Sequence, residues 1–174
     1  MVREADESLK WGEKTGFKWT KKNAWEPIGW GKFAVPQAST LVRTHYLTGD
    51  QKYLRAAVLA SQTGLGANPA NLSYTTGVGH NFPKHPLNVD QRVSGQATPP
   101  GTTVFGPTDM EKSADHWMVK LFAPVTYPAP AKWPSIEAYY DVFLFPETNE
   151  YVVGTIVSNA YVWGYLAARE PQKK

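Results

Sequence analysis

Apolar residues recur at helical spacing near the two ends of the chain and give way to irregular patterning between them. Residues 3–14 have modest helical character, with Leu9 and Trp11 as their only large apolar side chains. Residues 15–33 read as a loop carrying Phe17, Trp19, Trp25 and Trp30, a density of aromatics that implies packing or ligand contact. From Ala34 the helical period returns, and Ala34, Ala38, Leu41, Val42 and Tyr46 share one face. Leu47-Thr48-Gly49-Asp50 closes that helix with a glycine stop and opens the next with an aspartate cap. Tyr53, Leu54, Ala57, Val58 and Ser61 define the second helix, which ends near Gly64-Leu65-Gly66. So short a turn predicts an antiparallel helical hairpin.

Residues 66–132 differ in kind. They hold most of the glycine and proline and show no sustained helical period. Residues 74–76 and 102–105 read as short strands, and Leu72, Tyr74, Val78, Phe82, Leu87, Val104 and Phe105 give the segment anchors to pack. A segment of this length inside a compact domain points to a binding or active-site loop. Residues 133–168 then run from an aromatic and acidic stretch through Pro146-Glu147-Thr148 into a final helix. Its predicted buried face is Val153, Ile156, Val157, Ala160, Trp163 and Ala167. Thr148 is the expected cap, which places Glu150 in the first turn, where the helix dipole favours the anion. The class is mainly α, one domain over residues 1–174.

Composition narrows the chemistry. The chain is 42% apolar and 19% charged, which is globular, and its 13% aromatic content includes seven tryptophans. The net charge is +3 and the basic residues are dispersed, which argues against a nucleic-acid partner. There is no cysteine, and His45, His80, His85 and His116 lack helical metal-site spacing, so no metal or cofactor is expected. The first residues are charged where a signal peptide needs an apolar run. No apolar stretch is long enough to span a membrane, so a soluble chain is expected. Gly77-Val78-Gly79 lacks the context of a phosphate-binding loop, and Ser73 and Ser94 lack that of a nucleophile elbow.

Carboxylates, one well-placed arginine and flat aromatics are what carbohydrate chemistry uses. Sugar faces stack on Trp and Tyr, and sugar hydroxyls seek Arg, Asn, Gln and carboxylates. Glycoside cleavage needs one protonated and one ionised carboxyl group across the scissile bond. From the residues alone, Glu150 is either a dipole-favoured surface glutamate, the commoner case, or a catalytic acid in an aromatic cleft. The second role requires burial near Tyr139, Tyr140 or Tyr151 to offset the dipole.

Several motifs then occur in an ordered set. They are Leu47-Thr48-Gly49-Asp50 followed by Tyr53, Leu65-Gly66-Ala67-Asn68-Pro69, and Ser73-Tyr74-Thr75-Thr76-Gly77-Val78-Gly79. Gln91-Arg92-Val93-Ser94, Pro99-Pro100-Gly101, Asn149-Glu150, Asn159-Ala160 and Tyr165-Leu166-Ala167-Ala168 follow. Over roughly residues 30–168 the chain resembles the C-terminal half of glycoside hydrolase family 9, endoglucanases built on an (α/α)6 barrel of six helical hairpins.

The resemblance implies a partial barrel with residues 66–132 as a substrate-side loop, a β-1,4-glucan substrate, and a chain that is commonly secreted. It implies Glu150 as general acid and Arg92 as the arginine that binds sugar hydroxyls beside the cleavage point. Three features depart from the pattern. The family's paired catalytic aspartates belong to its N-terminal half. Gln91 stands where a histidine usually precedes the arginine, with Asp90 before it. Asn159 lies further from Glu150 than usual. A substitute base is therefore Asp90, or less readily Asp109 or Asp141, provided it lies about 6.5–9.5 Å from Glu150. As a plain sequence feature Asp90 is a solvated loop acid. Gln91, Asn149, Tyr74, Tyr139 and Trp133 complete the expected substrate-binding set, with Trp133 equally readable as core. Two other outcomes stay open: a carbohydrate-binding module without turnover, and a structural half-domain needing an N-terminal partner. Helices facing absent neighbours would expose an apolar strip, so self-association into a homo-oligomer is expected.

Overall fold

The computed structural model describes residues 1–20 and 38–169. Its helices are α1 (Val2–Glu13), α2 (Ser39–Thr48), α3 (Gln51–Gly64), α4 (Val89–Ser94), α5 (Trp117–Phe122), α6 (Pro146–Asn149) and α7 (Val153–Ala168). Among the described residues there is no extended strand, only isolated bridges, so the class is mainly α.

The α2–α3 hairpin forms as its turn chemistry dictates. Gly49 takes a left-handed φ of 70° and sends its N–H back to the His45 carbonyl. Asp50 then caps α3 by accepting from the Lys52 N–H at 3.0 Å. Leu41, Val42, Tyr53, Ala57 and Ala60 face one another, with Ala5 of α1 and Val162 of α7 closing the same cluster. Full burial of a side chain such as Leu41 contributes about 1.5–3 kcal/mol. Tyr46, expected on that face, is instead 76% exposed, because α2 buries only the side toward α1, α3 and α7. Ala34, Trp25 and Trp30 lie outside the described residues.

The 66–132 segment holds more structure than its composition suggests. The two expected strands reduce to one antiparallel bridge between Thr75 and Thr103. It is flanked by Thr76 N–H to Thr102 O (2.9 Å) and Val104 N–H to Tyr74 O (3.0 Å). Gly77 lies against Pro100 with φ 73°, and a Cβ there would stand 2.7 Å from the proline Cβ. Leu72, Tyr74 and Val104 form a small core under the bridge, against Tyr139. Met110, Met118, Val119, Ala138 and Phe145 form another, joined by Phe122, Trp133, Tyr140 and Val142. The lack of helical period is corrected by α4 and α5, each too short to leave a periodic signal.

The final helix differs from expectation at both its start and its face. It begins at Val153, while Pro146–Asn149 forms a separate short turn that ends at Glu150 in extended backbone (φ −69°, ψ 159°). Thr148 does not cap α7; its hydroxyl donates to the Tyr140 carbonyl at 3.0 Å. The inward face is Thr155, Asn159 and Val162, and Val153 and Val157 stand in solvent. That face is selected by hydrogen bonding. Asn159 Nδ2 donates to Thr103 Oγ1 (2.8 Å) and Thr75 Oγ1 (3.3 Å), and Thr155 Oγ1 donates to Thr103 O (2.8 Å). The Thr75 and Thr103 hydroxyls also bond each other at 2.8 Å, and an apolar helix face would leave their remaining hydrogen-bonding capacity and the Thr103 carbonyl without these side-chain donors.

Candidate active site

The turn that carries Glu150 is held from several directions. Asn149 is fully buried, with Nδ2 in contact with the Tyr140 carbonyl and 3.1 Å from the Val142 carbonyl. Its Oδ1 accepts from the Tyr139 hydroxyl at 2.7 Å. Backbone bonds complete the clamp: Leu87 N–H to Asn149 O (2.8 Å), Gly106 N–H to Thr148 O (2.9 Å) and Phe105 N–H to Glu150 O (2.8 Å). Glu147, also fully buried, contacts His116 Nδ1 through its carboxylate.

Glu150 itself is half-buried, and among the described residues its carboxylate takes no hydrogen bond or ion pair. Two residues separate it from the start of α7, so it does not lie in that helix's first turn and the expected dipole stabilisation from it does not apply there.

Gln91 and Arg92 lie on α4, which Asn88 caps by accepting from the Gln91 N–H at 3.0 Å. Together with Lys84, His85, Pro86, Gly95, Gln96 and Phe143 they line a cleft of about 250 Å³. The Arg92 guanidinium sits 5.5 Å from the centroid of Phe143, and Lys84 Nζ sits 3.2 Å from that of Phe82. Asp141 braces the cleft wall: its Oδ2 accepts from Lys84 N–H (2.7 Å) and its Oδ1 from His85 N–H (3.0 Å). The same segment then reaches the Glu150 turn through Leu87.

The remaining sequence-derived candidates fall into two groups. Asp90 is exposed on α4, beside Gln91 but outside the cleft lining. Asp141 spends both oxygens on backbone amides, and Asp109 Oδ1 accepts from Glu111 N–H at 3.1 Å and Lys112 N–H at 3.3 Å. Tyr74 and Asn149, expected to contact sugar, are 0% exposed. Tyr139 packs edge-on against Tyr74 at 5.3 Å and gives its hydroxyl to Asn149. Burial, with the neighbouring Asp141 charge, pushes its phenol well above the ordinary range, so it stays a donor. Trp133, partly buried, donates its indole N–H to Pro128 O at 2.7 Å and packs edge-on against Tyr140.

Lys84, His85, Phe143 and the His116–Glu147 pair were not singled out from sequence. The signal for the first two was Pro83-Lys84-His85-Pro86, basic residues bracketed by prolines and held toward Arg92. Among the described residues no group of three His, Asp or Glu side chains is placed to hold a metal ion, and no helix is long and apolar enough to cross a membrane.

The glycosyl hydrolase family 9 model matches residues 4–161, and the chain belongs to that family. Among solved structures it is similar to a metagenome-derived glycoside hydrolase family 9 endoglucanase, with 26% identity and a TM-score of 0.76. That match covers 97% of this chain and 28% of the other. A Bacteroides ovatus family 9 protein matches at 23% identity and TM-score 0.65, over 96% of this chain and 28% of its own. A thermostable endoglucanase mutant from Alicyclobacillus acidocaldarius matches at 21% and 0.71, over 97% and 30%. The chain thus spans less than a third of these structures' length. Comparison with curated proteins finds no match.

Proposed function

We propose that this chain forms the acid-bearing part of a β-1,4-glucan hydrolase, a portion of an (α/α)6 barrel in which Glu150 protonates the leaving glycosidic oxygen. The observation that carries this is the contrast within one turn. Glu147, Thr148 and Asn149 are sealed and pinned, whereas Glu150 beside them is half-buried with an unpaired carboxylate. A half-buried carboxyl group without a partner is costly to keep, and a rigid mount for it suits proton transfer to a bound substrate. Arg92 and Gln91 hold sugar hydroxyls in the cleft. Asp90 is the base this chain itself offers, its exposure suiting activation of water. Tyr139 and Asn149 position the acid, and Tyr74 and Trp133 support that frame.

A second reading is favoured by the short span relative to the solved structures: a sugar-binding portion that turns over only with further barrel helices. The outer side of the helical core supports association of this kind. Val42, Tyr46, Leu47, Tyr161 and Tyr165 line an open, largely apolar cleft of about 390 Å³ with Met1 and Arg43. Self-association of two chains through this face is read by light scattering, and a clean monomer sinks it.

Reducing-sugar release from soluble β-1,4-glucan, compared between wild type and Glu150→Gln at matched folding, separates the readings. Activity lost in the variant supports Glu150 as acid. Silence in both favours the second reading, and equal activity in both removes Glu150 from the mechanism.

A further inference from the structure

The α4 cleft has an unusual balance of donors and acceptors. Lys84 and Arg92 carry donors only, and His85 adds a ring with one donor and one acceptor nitrogen when neutral. Gln91 and Gln96 are the amide groups of the lining, and no carboxylate belongs to it. The two strong cations are not neutralised. Each rests on an aromatic ring, Lys84 on Phe82 and Arg92 on Phe143, and among the described residues neither forms an ion pair. The nearby acid, Asp141, is committed to the Lys84 and His85 backbone amides, and Asp90 lies outside the lining.

A neutral sugar hydroxyl both donates and accepts and is met by the Gln91 and Gln96 amides, but it leaves the charge of the two cations unanswered. A carboxylate only accepts, and it carries the charge that the two cations lack. The cleft volume of about 250 Å³ is below that of drug-sized ligand sites, the scale of a single sugar ring.

We propose that this cleft binds an acidic sugar, a uronate residue within or at the end of a β-1,4-linked glucan chain, with its carboxylate between Lys84 and Arg92. The inference rests on the reading of the chain as a β-glucan-binding glycosidase portion and deepens it by naming the substituent. Lys84 and Arg92 hold the carboxylate, Gln91 and Gln96 take the ring hydroxyls, and the prolines at 83 and 86 keep the basic pair at the cleft wall.

The test is calorimetric titration of the purified chain with β-glucuronosyl-1,4-glucose and, separately, with cellobiose. The uronate is expected to bind on the order of tenfold more tightly, with the advantage shrinking as sodium chloride is added. Lys84→Gln is expected to remove most of that advantage, and Lys10→Gln on the surface of α1 to leave it intact. Equal affinity for both sugars, binding of neither, or a preference that survives Lys84→Gln overturns the proposal. Its failure is distinct from failure of the glycosidase reading. Cellobiose binding and glucan turnover without a uronate preference refute only the acidic subsite. Uronate binding without turnover leaves the subsite and removes the catalysis.

Discussion

Glu147 is sealed from solvent, and its carboxylate meets His116 and no other donor among the described residues. The pair ties the α6 turn to the residue just before α5, some way back along the chain. Removing one partner strands a buried charge, which costs several times what the intact pair contributes. His116→Ala is expected to lower stability by about 2 kcal/mol, less than a fully buried pair because His116 is a third exposed. Glu147→Gln with His116→Gln is expected to lose less than His116→Ala alone. Urea denaturation followed by circular dichroism reads both, and an unchanged midpoint for His116→Ala refutes the latch.

Asn149 holds the candidate acid through contacts to Tyr139, Tyr140 and Val142. Asn149→Ala removes the amide that ties the Tyr139 hydroxyl to the Tyr140 and Val142 carbonyls, which keep backbone donors, and is expected to cost about 1–2 kcal/mol. If Glu150 acts as proposed, glucan hydrolysis falls further than the loss of folded protein accounts for. Activity per folded molecule, normalised by tryptophan fluorescence, makes the comparison; a loss tracking unfolding alone argues against positioning.

Tyr74 has a buried hydroxyl with no partner, and burial lifts its phenol above the ordinary range, as it does for Tyr139. A raised folded-state value favours the native state below the unfolded value of about 10, and that contribution drains away as pH climbs above it. Stability is therefore expected to fall above about pH 10. Tyr74→Phe should be neutral or up to about 1 kcal/mol more stable at pH 7, with a shallower alkaline decline. Urea midpoints at neutral and alkaline pH decide it, and parallel curves for the two proteins count against the assignment.

Two glycines with the same backbone sign differ in what surrounds them. Gly49 (φ 70°) has open space where a Cβ would go, whereas at Gly77 (φ 73°) that Cβ meets Pro100. Gly49→Ala is expected to cost about 1 kcal/mol and Gly77→Ala about 2–3 kcal/mol, the difference arising from the clash. Melting temperatures of the two variants in one buffer give the ordering, and equal losses exclude the steric part.

The parts of this fold that were legible in the sequence announce themselves locally. Gly49 and Asp50 punctuate the hairpin whatever lies around them, and Leu41, Val42, Tyr53 and Ala57 repeat often enough to mark their faces. The inward face of α7 was hidden because its partners are hydroxyls: Thr75 and Thr103 select Thr155 and Asn159 over the valines. Glu147 was passed over because buried glutamate runs against the usual partition of residues. Gln91 and Arg92 were found by their motif, but the cleft around them needs Lys84, His85 and Phe143, brought in by the Asp141 brace. No periodicity encodes a carboxylate that binds two amides across the fold.

The hydrogen bonds from Leu87, Phe105 and Gly106 to the 148–150 backbone have a consequence for how the chain acquires its chemistry. The α2–α3 hairpin closes between near neighbours, and such contacts form early and cheaply. The acid's turn is assembled from segments that must first travel across most of the intervening chain, so its ordering entropy is recovered late. A nick in residues 106–115 is expected to loosen the Glu150 turn before the α2–α3 contacts. The turn at Glu150 is thus the last part of the fold to be finished and the first to be given up.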